Sequence, residues 1–207
     1  MNDIKLTVII PVYNQPELLI RALSSIPIRN DIEIIVIDDG STDRTWDNLL
    51  GYVDGSKQNI VCLYNEFNKG VAYTVNKGYN NANGEYIVLL GSDDYFYTDE
   101  LEKAIELLDG TDLVYFNLKI NNGDVWRLTP ENKTGLCGSV KFMRRDFVGD
   151  TRCPEKRRAG EDYYFYQELL KKSPTEKFTD ILVKHYNYPR ENSLTDLVKK
   201  GKIREGD

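Results

Sequence analysis

The strongest constraint in this sequence is a strand-then-helix pattern that repeats four times before residue 110, each strand closing on a polar turn. Leu6–Ile10 is a short apolar run rich in β-branched residues, as a strand buried on both faces should be. Asn14 and Gln15 then precede Pro16, a residue favoured in the first turn of a helix. Leu19, Ala22, Leu23 and Ile26 follow at helical spacing. Glu33–Ile37 reads as the second strand and stops at Asp38-Asp39-Gly40. Ser41, Thr42 and Asp43 offer N-caps for a helix carrying Trp46, Leu49, Leu50 and Val53. Asn59–Tyr64 is the third strand, and Ala72, Val75, Tyr79 and Ala82 mark the next helix. Glu85–Leu90 is the fourth and meets Gly91-Ser92-Asp93-Asp94, before a helix with Leu101, Ala104, Ile105 and Leu108. Four βα units predict an α/β fold: a mostly parallel central sheet flanked by helices.

After Thr111 the pattern changes. Asp112–Ile120 and Asp124–Leu128 flank Asn121-Asn122-Gly123, a hairpin signal because Asn-Gly supplies the positive φ angles of a tight turn. Residues 129–160 read as irregular and hold two basic clusters, Arg144-Arg145 and Lys156-Arg157-Arg158. Glu161–Lys172 reads as a helix broken before Pro174, and Asp180–Tyr188 as a last strand. With no repeat, low-complexity stretch or linker, residues 1–207 are expected to form one domain. Residues 1–110 make its first half, 111–195 its second, and 196–207 a polar tail.

Composition narrows the function. A net charge of −6, from 33 acidic and 27 basic residues, argues against a nucleic-acid binder. Three cysteines, Cys62, Cys137 and Cys153, in no CxxC arrangement, exclude a disulfide framework or a cysteine-rich zinc site. One histidine, His185, excludes paired-histidine metal sites; within an apolar strand it reads as structural. No apolar run reaches the roughly 20 residues of a membrane span, so the expected location is the cytoplasm.

In open α/β sheets, ligands bind beyond the carboxyl ends of the strands. Those ends here carry Pro11-Val12-Tyr13-Asn14, Asp38-Asp39-Gly40-Ser41, Asn68-Lys69-Gly70 and Ser92-Asp93-Asp94. Paired carboxylates on one edge repel unless a cation or donor offsets them; the alternative is that Asp38 and Asp94 cap the following helices. Neither GxGxxG after a strand nor GxxxxGK[ST] is present. A nucleotide on this fold would have its diphosphate held through a metal on carboxylates, and oxygen ligands suit magnesium or manganese.

VIIPVYNQPELLIRALSSI, EIIVIDDGSTDRT, NKGVAYTVNKGYNNANGEYIVLLGSDD and the later GEDYYFYQELL together resemble a family 2 glycosyltransferase of the GT-A (nucleotide-diphospho-sugar transferase) fold. The likeness is strong over residues 6–108, weaker over 159–195, and slight over 110–158. It implies an inverting, metal-dependent transfer from a UDP-sugar to a glycan or glycolipid in surface polysaccharide synthesis, with Mn2+ or Mg2+ as cofactor. It places Tyr13 against the base with Pro11 shaping the turn. Asp39, beside Asp38, accepts from the base, and Lys69 and Gly70 lie near the nucleotide. Ser92 and Asp93 fall in the D-x-D motif, with Asp93 and Asp94 as the metal carboxylates. Glu161-Asp162 matches the acidic pair at the start of a helix, with Asp162 as general base.

Three departures stand out. Gly91 replaces the usual first aspartate of D-x-D, Val75 replaces a frequent arginine, and Arg190 in NYPRENSLT stands where many relatives have a histidine. Tyr163, Tyr164 and Tyr166 are candidates to stack on a sugar, with at least one facing the core. The basic clusters are candidates for an anionic acceptor or a solvated face, and the tail lysines for peripheral contact with a membrane surface. Two other readings remain: a non-catalytic nucleotide-sugar binding module, and a sugar-phosphate nucleotidyltransferase, which should carry a glycine-rich loop where PVYN stands.

Overall fold

The computed structural model describes residues 4–134, 140–156, 160–191, 196–197 and 200–201. Cys137, Arg157, Arg158 and most of the polar tail lie outside the described residues. The four expected units form as β1 (Leu6–Val12), α1 (Pro16–Ser24), β2 (Ile32–Asp38), α2 (Thr45–Gly55), β3 (Asn59–Tyr64), α3 (Val71–Asn81), β4 (Tyr86–Leu89) and α4 (Thr98–Ile105), with a short strand β5 (Tyr95–Phe96) before α4. The second half adds β6 (Leu113–Ile120), β7 (Val125–Trp126), β8 (Lys141–Arg144), α5 (Arg145–Val148), α6 (Glu161–Leu170) and β9 (Glu176–Tyr186).

The sheet runs β3-β2-β1-β4-β8-β6-β9-β5, with β7 on β6. β1 is parallel to β2 and β4, β2 to β3, and β6 to β9. β8 lies antiparallel between β4 and β6, and β5 antiparallel to β9. The strands β1, β2, β3, β4, β6 and β9 therefore all point one way. Their carboxyl ends share one edge, and the expected mostly parallel sheet is present.

That edge is also bridged. Residues 90–94 carry the chain from β4 to β5, four positions along the sheet. Four strand spacings are about 19 Å on a flat sheet. An extended connection of this length reaches about 20 Å, yet the Asp94 amide turns back to donate to the Gly91 carbonyl. The sheet must curve for the segment to close.

β1 continues through Pro11, beyond the expected stop at Ile10. The Ile9 carbonyl accepts from Leu90 and the Val12 carbonyl from Asp39, so by alternation Pro11 faces the β4 side. β4 has already ended at Leu89, and proline's missing donor costs no ladder bond. None of Ser41, Thr42 or Asp43 caps α2 as expected. Arg44 is the N-cap, without a side-chain bond, while Asp43 Oδ1 accepts from the Thr45 amide at 2.9 Å and its hydroxyl at 2.6 Å. Leu50 of the expected apolar face is 46% exposed.

The hairpin forms, but its turn is not the two-residue type. Of its residues only Gly123 has positive φ, and the Gly123 amide donates to the Ile120 carbonyl. This is a three-residue loop closed by a left-handed glycine. β8 and α5 arise inside the stretch read as irregular, because KFMR is short and its apolar core contains only two residues. β9 starts at Glu176 rather than Asp180, and its pairing with β6 is uneven: Phe178 sits opposite Tyr115, Leu182 opposite Asn117 and Lys184 opposite Leu118. The extra residues of β9 bulge out, which hid its period from the sequence. Two buried clusters fill the layers on either face of the sheet, one around Val8, Ile10, Leu23 and Phe116, the other around Ile9, Ile35, Tyr115 and Phe165.

Gly40 anchors the turn after β2. Its φ is +72°, and a Cβ would lie 2.5 Å from the Phe67 carbonyl carbon. Both strain and overpacking act at this position, so Gly40→Ala should destabilise the fold by about 2–4 kcal/mol. Urea denaturation checks this, and a midpoint equal to wild type would contradict the close approach.

Candidate active site

The loops at the carboxyl edge are stitched together by side chains. After β1, the Asn14 amide donates to Ser41 Oγ and Asn14 Oδ1 accepts from the Thr42 amide, both at 2.9 Å. Asn14 itself takes φ 52°, which asparagine tolerates better than most residues. Beside it Tyr13 is 42% exposed, leaving its ring open for stacking.

Asp39 is buried, yet it organises the next loop. Its Oδ1 accepts from Asn65 Nδ2 at 2.8 Å and the Lys69 amide at 2.9 Å; its Oδ2 accepts from the Gly70 amide at 2.9 Å. A carboxylate has about four acceptor positions, so one on Oδ2 remains. Asp38 is buried too; its Oδ1 accepts from the Ser41 amide at 2.7 Å. Its Oδ2 has no partner among the described residues, an expensive state for a buried acceptor. The Lys69 ammonium lies over the Phe67 and Tyr73 rings.

The segment after β4 separates two aspartates of different character. Asp94 is buried: its Oδ2 meets the Lys184 ammonium at 2.8 Å, and its Oδ1 accepts from the Asn187 amide at 2.9 Å. Asp93 is more open, and its Oδ2 accepts from Arg190 Nε at 2.6 Å. Burial, and after it the Asp94 charge, pushes the Asp93 carboxyl above its ordinary value, with Arg190 opposing. The Asp93 carbonyl accepts from the Arg21 guanidinium, which lies over the Tyr95 ring. Ser92 donates to Gln15 Oε1 at 2.8 Å. Neither Asp38 nor Asp94 caps a helix, so that alternative is not met: α2 starts at Thr45 and α4 follows Tyr97.

Among the described residues, no three acidic, histidine or cysteine side chains gather as a metal cage. Two carboxylate oxygens nevertheless converge at Gly91: a Cβ there would lie 2.9 Å from Asp93 Oδ1 and 3.0 Å from Asp94 Oδ2, the latter also held by Lys184. Two carboxylate oxygens facing one small space fit Mg2+ or Mn2+, which are held by one or two carboxylates plus substrate phosphates.

The second acidic pair begins α6, after Gly160 in the left-handed conformation. Asp162 is half-buried, and its Oδ1 accepts from the Tyr163 amide at 2.8 Å. Glu161 is buried with Oε2 unpartnered among the described residues; burial first, then the Asp162 charge, pushes its carboxyl up to about 7. Asn76 of α3 holds the nearby Cys153 backbone at 2.9 Å and 2.8 Å. Tyr79 of α3 stacks on Phe165 of α6, so α3 carries both the Lys69-Gly70 turn and the seat of the acidic pair.

Other expected residues are placed as follows. Tyr163 and Tyr164 are exposed, while Tyr166 is buried with its hydroxyl 2.6 Å from that of Tyr115. Arg144 pairs with Asp112 and Arg145 Nε donates to the Gly84 carbonyl, so this cluster is committed to the fold. Lys156 is exposed. His185 is structural as expected, stacked on Tyr95 and bonded to Tyr97 and Asn121. Sequence reasoning missed Asn65, Gln15 and Lys184. Asn65 directly follows β3 and Gln15 shortly follows β1, positions that could have flagged them; Lys184 looked like an ordinary strand lysine.

The chain matches the family described as Glycosyl transferase family 2 over residues 7–174. It is 34% identical over 113 residues to the Escherichia coli UDP-Glc:alpha-D-GlcNAc-diphosphoundecaprenol beta-1,3-glucosyltransferase WfaP, covering 54% of this chain and 43% of that protein. It is 36% identical over 124 residues to an uncharacterized glycosyltransferase of Rickettsia conorii, covering 56% of this chain but only 19% of that protein's length. Among solved structures, S. aureus TarS 1-349 in complex with UDP-GlcNAc superposes with a TM-score of 0.81 at 22% identity, over 92% of this chain and 60% of that one. Mannosyltransferase PcManGT from Pyrobaculum calidifontis, in complex with GDP-Man and Mn2+, does so at 0.73 and 17% identity, over 100% and 67%. These likenesses show the GT-A fold.

The raised Glu161 carboxyl has a testable sign. The folded chain keeps a proton that the unfolded chain has lost, so this group's contribution falls as pH rises from 4.5 to about 7 and is level above that. Glu161→Gln, which cannot ionise, should gain melting temperature relative to wild type across that window. Melts at acid and alkaline pH check this; a constant difference would mean that Glu161 titrates as a free carboxylate.

Proposed function

The chain belongs to glycosyl transferase family 2, and we propose that it transfers a sugar from a UDP-sugar, with inversion, to a hydroxyl of a glycan or glycolipid in surface polysaccharide assembly. The observation that carries this reading is the division of acidic groups. One set, Asp38, Asp39, Asp93 and Asp94, ends or follows β2 and β4 at the carboxyl edge of the sheet, while Asp162 is half-buried in the first turn of α6. The UDP-GlcNAc complex of TarS and the UDP-Glc and lipid-diphosphate named for WfaP support the donor and acceptor classes.

The roles follow from chemistry. Tyr13 offers a face for the base, and the remaining acceptor position of Asp39 suits a base N–H. Asp38 Oδ2, buried and without a partner among the described residues, suits a second donor group of the nucleoside. A sugar hydroxyl has a pKa far above neutrality, so Asp162 accepts its proton as the new glycosidic bond forms and the sugar–phosphate bond breaks. Asp162 lies in the first turn of α6, while burial holds Glu161 beside it toward its protonated form. Asp93 and Asp94 would hold Mn2+ or Mg2+, which supplies charge stabilisation to the departing nucleoside diphosphate. The Mn2+ in the PcManGT complex supports this assignment.

A lipid-linked acceptor would bring the chain to the inner face of a membrane by peripheral contact. Among the described residues no helix is long and apolar enough to cross one.

Two measurements test the reading. UDP with Mn2+ at a hundred times its Kd should raise the melting temperature by roughly 5–10 °C; absence of a shift with UDP, GDP, CDP and dTDP alike would defeat it. Asp162→Asn should keep that shift and lower transfer by about 10²–10⁴-fold. If transfer survives, the base lies elsewhere; if wild type binds but transfers nothing to any glycan or glycolipid offered, the chain is a binding module.

A further inference from the structure

Two cations face the two aspartates after β4, and they differ in how freely they can leave. Lys184 and Asp94 are 1% and 4% exposed, and separating them would strand a charge in the core. Arg190 and Asp93 are 29% and 19% exposed, so this pair can open at modest cost. Arg190 reaches Asp93 because β9 and β4 end at the same edge. Its bond uses Nε, and a guanidinium carries further N–H donors in a planar fork that matches phosphate oxygens.

Resting on the donor-site reading above, we infer that Arg190 is an exchangeable counter-ion that couples cation binding to donor binding. In the ligand-free chain it neutralises Asp93 and competes with a divalent cation for that carboxylate. When a nucleoside diphosphate arrives, the guanidinium moves from Asp93 to the diphosphate, and Asp93 is released to the cation. Charge is conserved locally at each stage: Asp93 exchanges one positive partner for another, and the diphosphate gains the guanidinium that Asp93 gives up. The cation therefore binds weakly alone and tightly with nucleotide, and Arg190 is a positioning residue for donor capture. The departure at this position thus has a physical role. A histidine there could only share the cation, whereas an arginine, always charged, excludes it until an anion draws the guanidinium away.

The test is a Mn2+ titration of the full chain read by electron paramagnetic resonance, alone and with saturating UDP, for wild type, Arg190→Gln and Arg190→Lys. In wild type UDP should tighten Mn2+ binding by at least about tenfold, within the usual range of coupling between sites. Arg190→Gln should bind Mn2+ alone roughly 3–10-fold more tightly, because one charge-assisted hydrogen bond no longer competes. It should also lose most of the UDP effect. Arg190→Lys, which keeps the charge, should stay within about threefold of wild type for Mn2+ alone, and it serves if the glutamine variant fails to fold. In an Asp93→Asn background Arg190→Gln should no longer change Mn2+ affinity. Unchanged or weaker Mn2+ binding in a folded Arg190→Gln chain overturns the inference, as does undiminished UDP coupling. A wild-type chain that UDP leaves indifferent speaks instead against the donor reading, since the metal-alone comparison still reads the competition at Asp93.

Discussion

The buried contact between Lys184 and Asp94 joins the two halves of this molecule at the carboxyl edge of the sheet. Lys184 belongs to β9, in the second half of the chain; Asp94 belongs to the segment that leaves β4, at the end of the first. Buried ions must be paired, and paired well, or the fold pays for them many times over. The Asn187 amide completes the arrangement by bonding the other Asp94 oxygen. With this joint closed, β5 pairs with β9, Arg190 falls beside Asp93, and His185 is clasped by Tyr95, Tyr97 and Asn121. Alongside the β4–β8 and β5–β9 pairings, this electrostatic joint ties the second half to the carboxyl edge of the first.

The fold was legible where one face or both faces of an element are buried and its period is regular. The first four strands announced themselves as apolar runs, and Leu19, Ala22 and Leu23 of α1 are buried as their spacing implied. The second half resisted because its strands do not keep period. β8 is too short to show one, and β9 loses it at its bulges. Turn chemistry misled in a consistent direction: hydroxyl and acidic residues near a helix start were read as caps, but Ser41 and Thr42 bond across to Asn14 instead. Tertiary partners outbid the local ones.

For the site, residue types were legible and partnerships were not. That strand-end aspartates gather at one edge follows from the parallel pattern alone. Which of them faces inward does not, because this depends on a lysine some ninety residues away in sequence. The same holds for Asp39, whose carboxylate is tied to the Lys69-Gly70 turn through backbone amides that no side-chain pattern reveals. Glu161 and Asp162, adjacent in sequence, differ in burial because α6 turns one toward the core and leaves the other nearer water.

The uneven pairing of β9 with β6 has a consequence for how this chain can change length. Between Phe178 and Lys184 only Leu182 is registered on β6, opposite Asn117, and the Thr179 hydroxyl patches the ladder by donating to the Tyr115 carbonyl. A deletion or insertion in that stretch alters a bulge and can be absorbed there. From Lys184 to Tyr186 the pairing is one-to-one, and a shift of one residue sends every side chain to the opposite face. Residues 179–183 therefore form an elastic zone in which a change of length would alter a bulge rather than the register. Residues 184–190 form a rigid one, where the interval between the core lysine and the arginine at the mouth is set by the site itself.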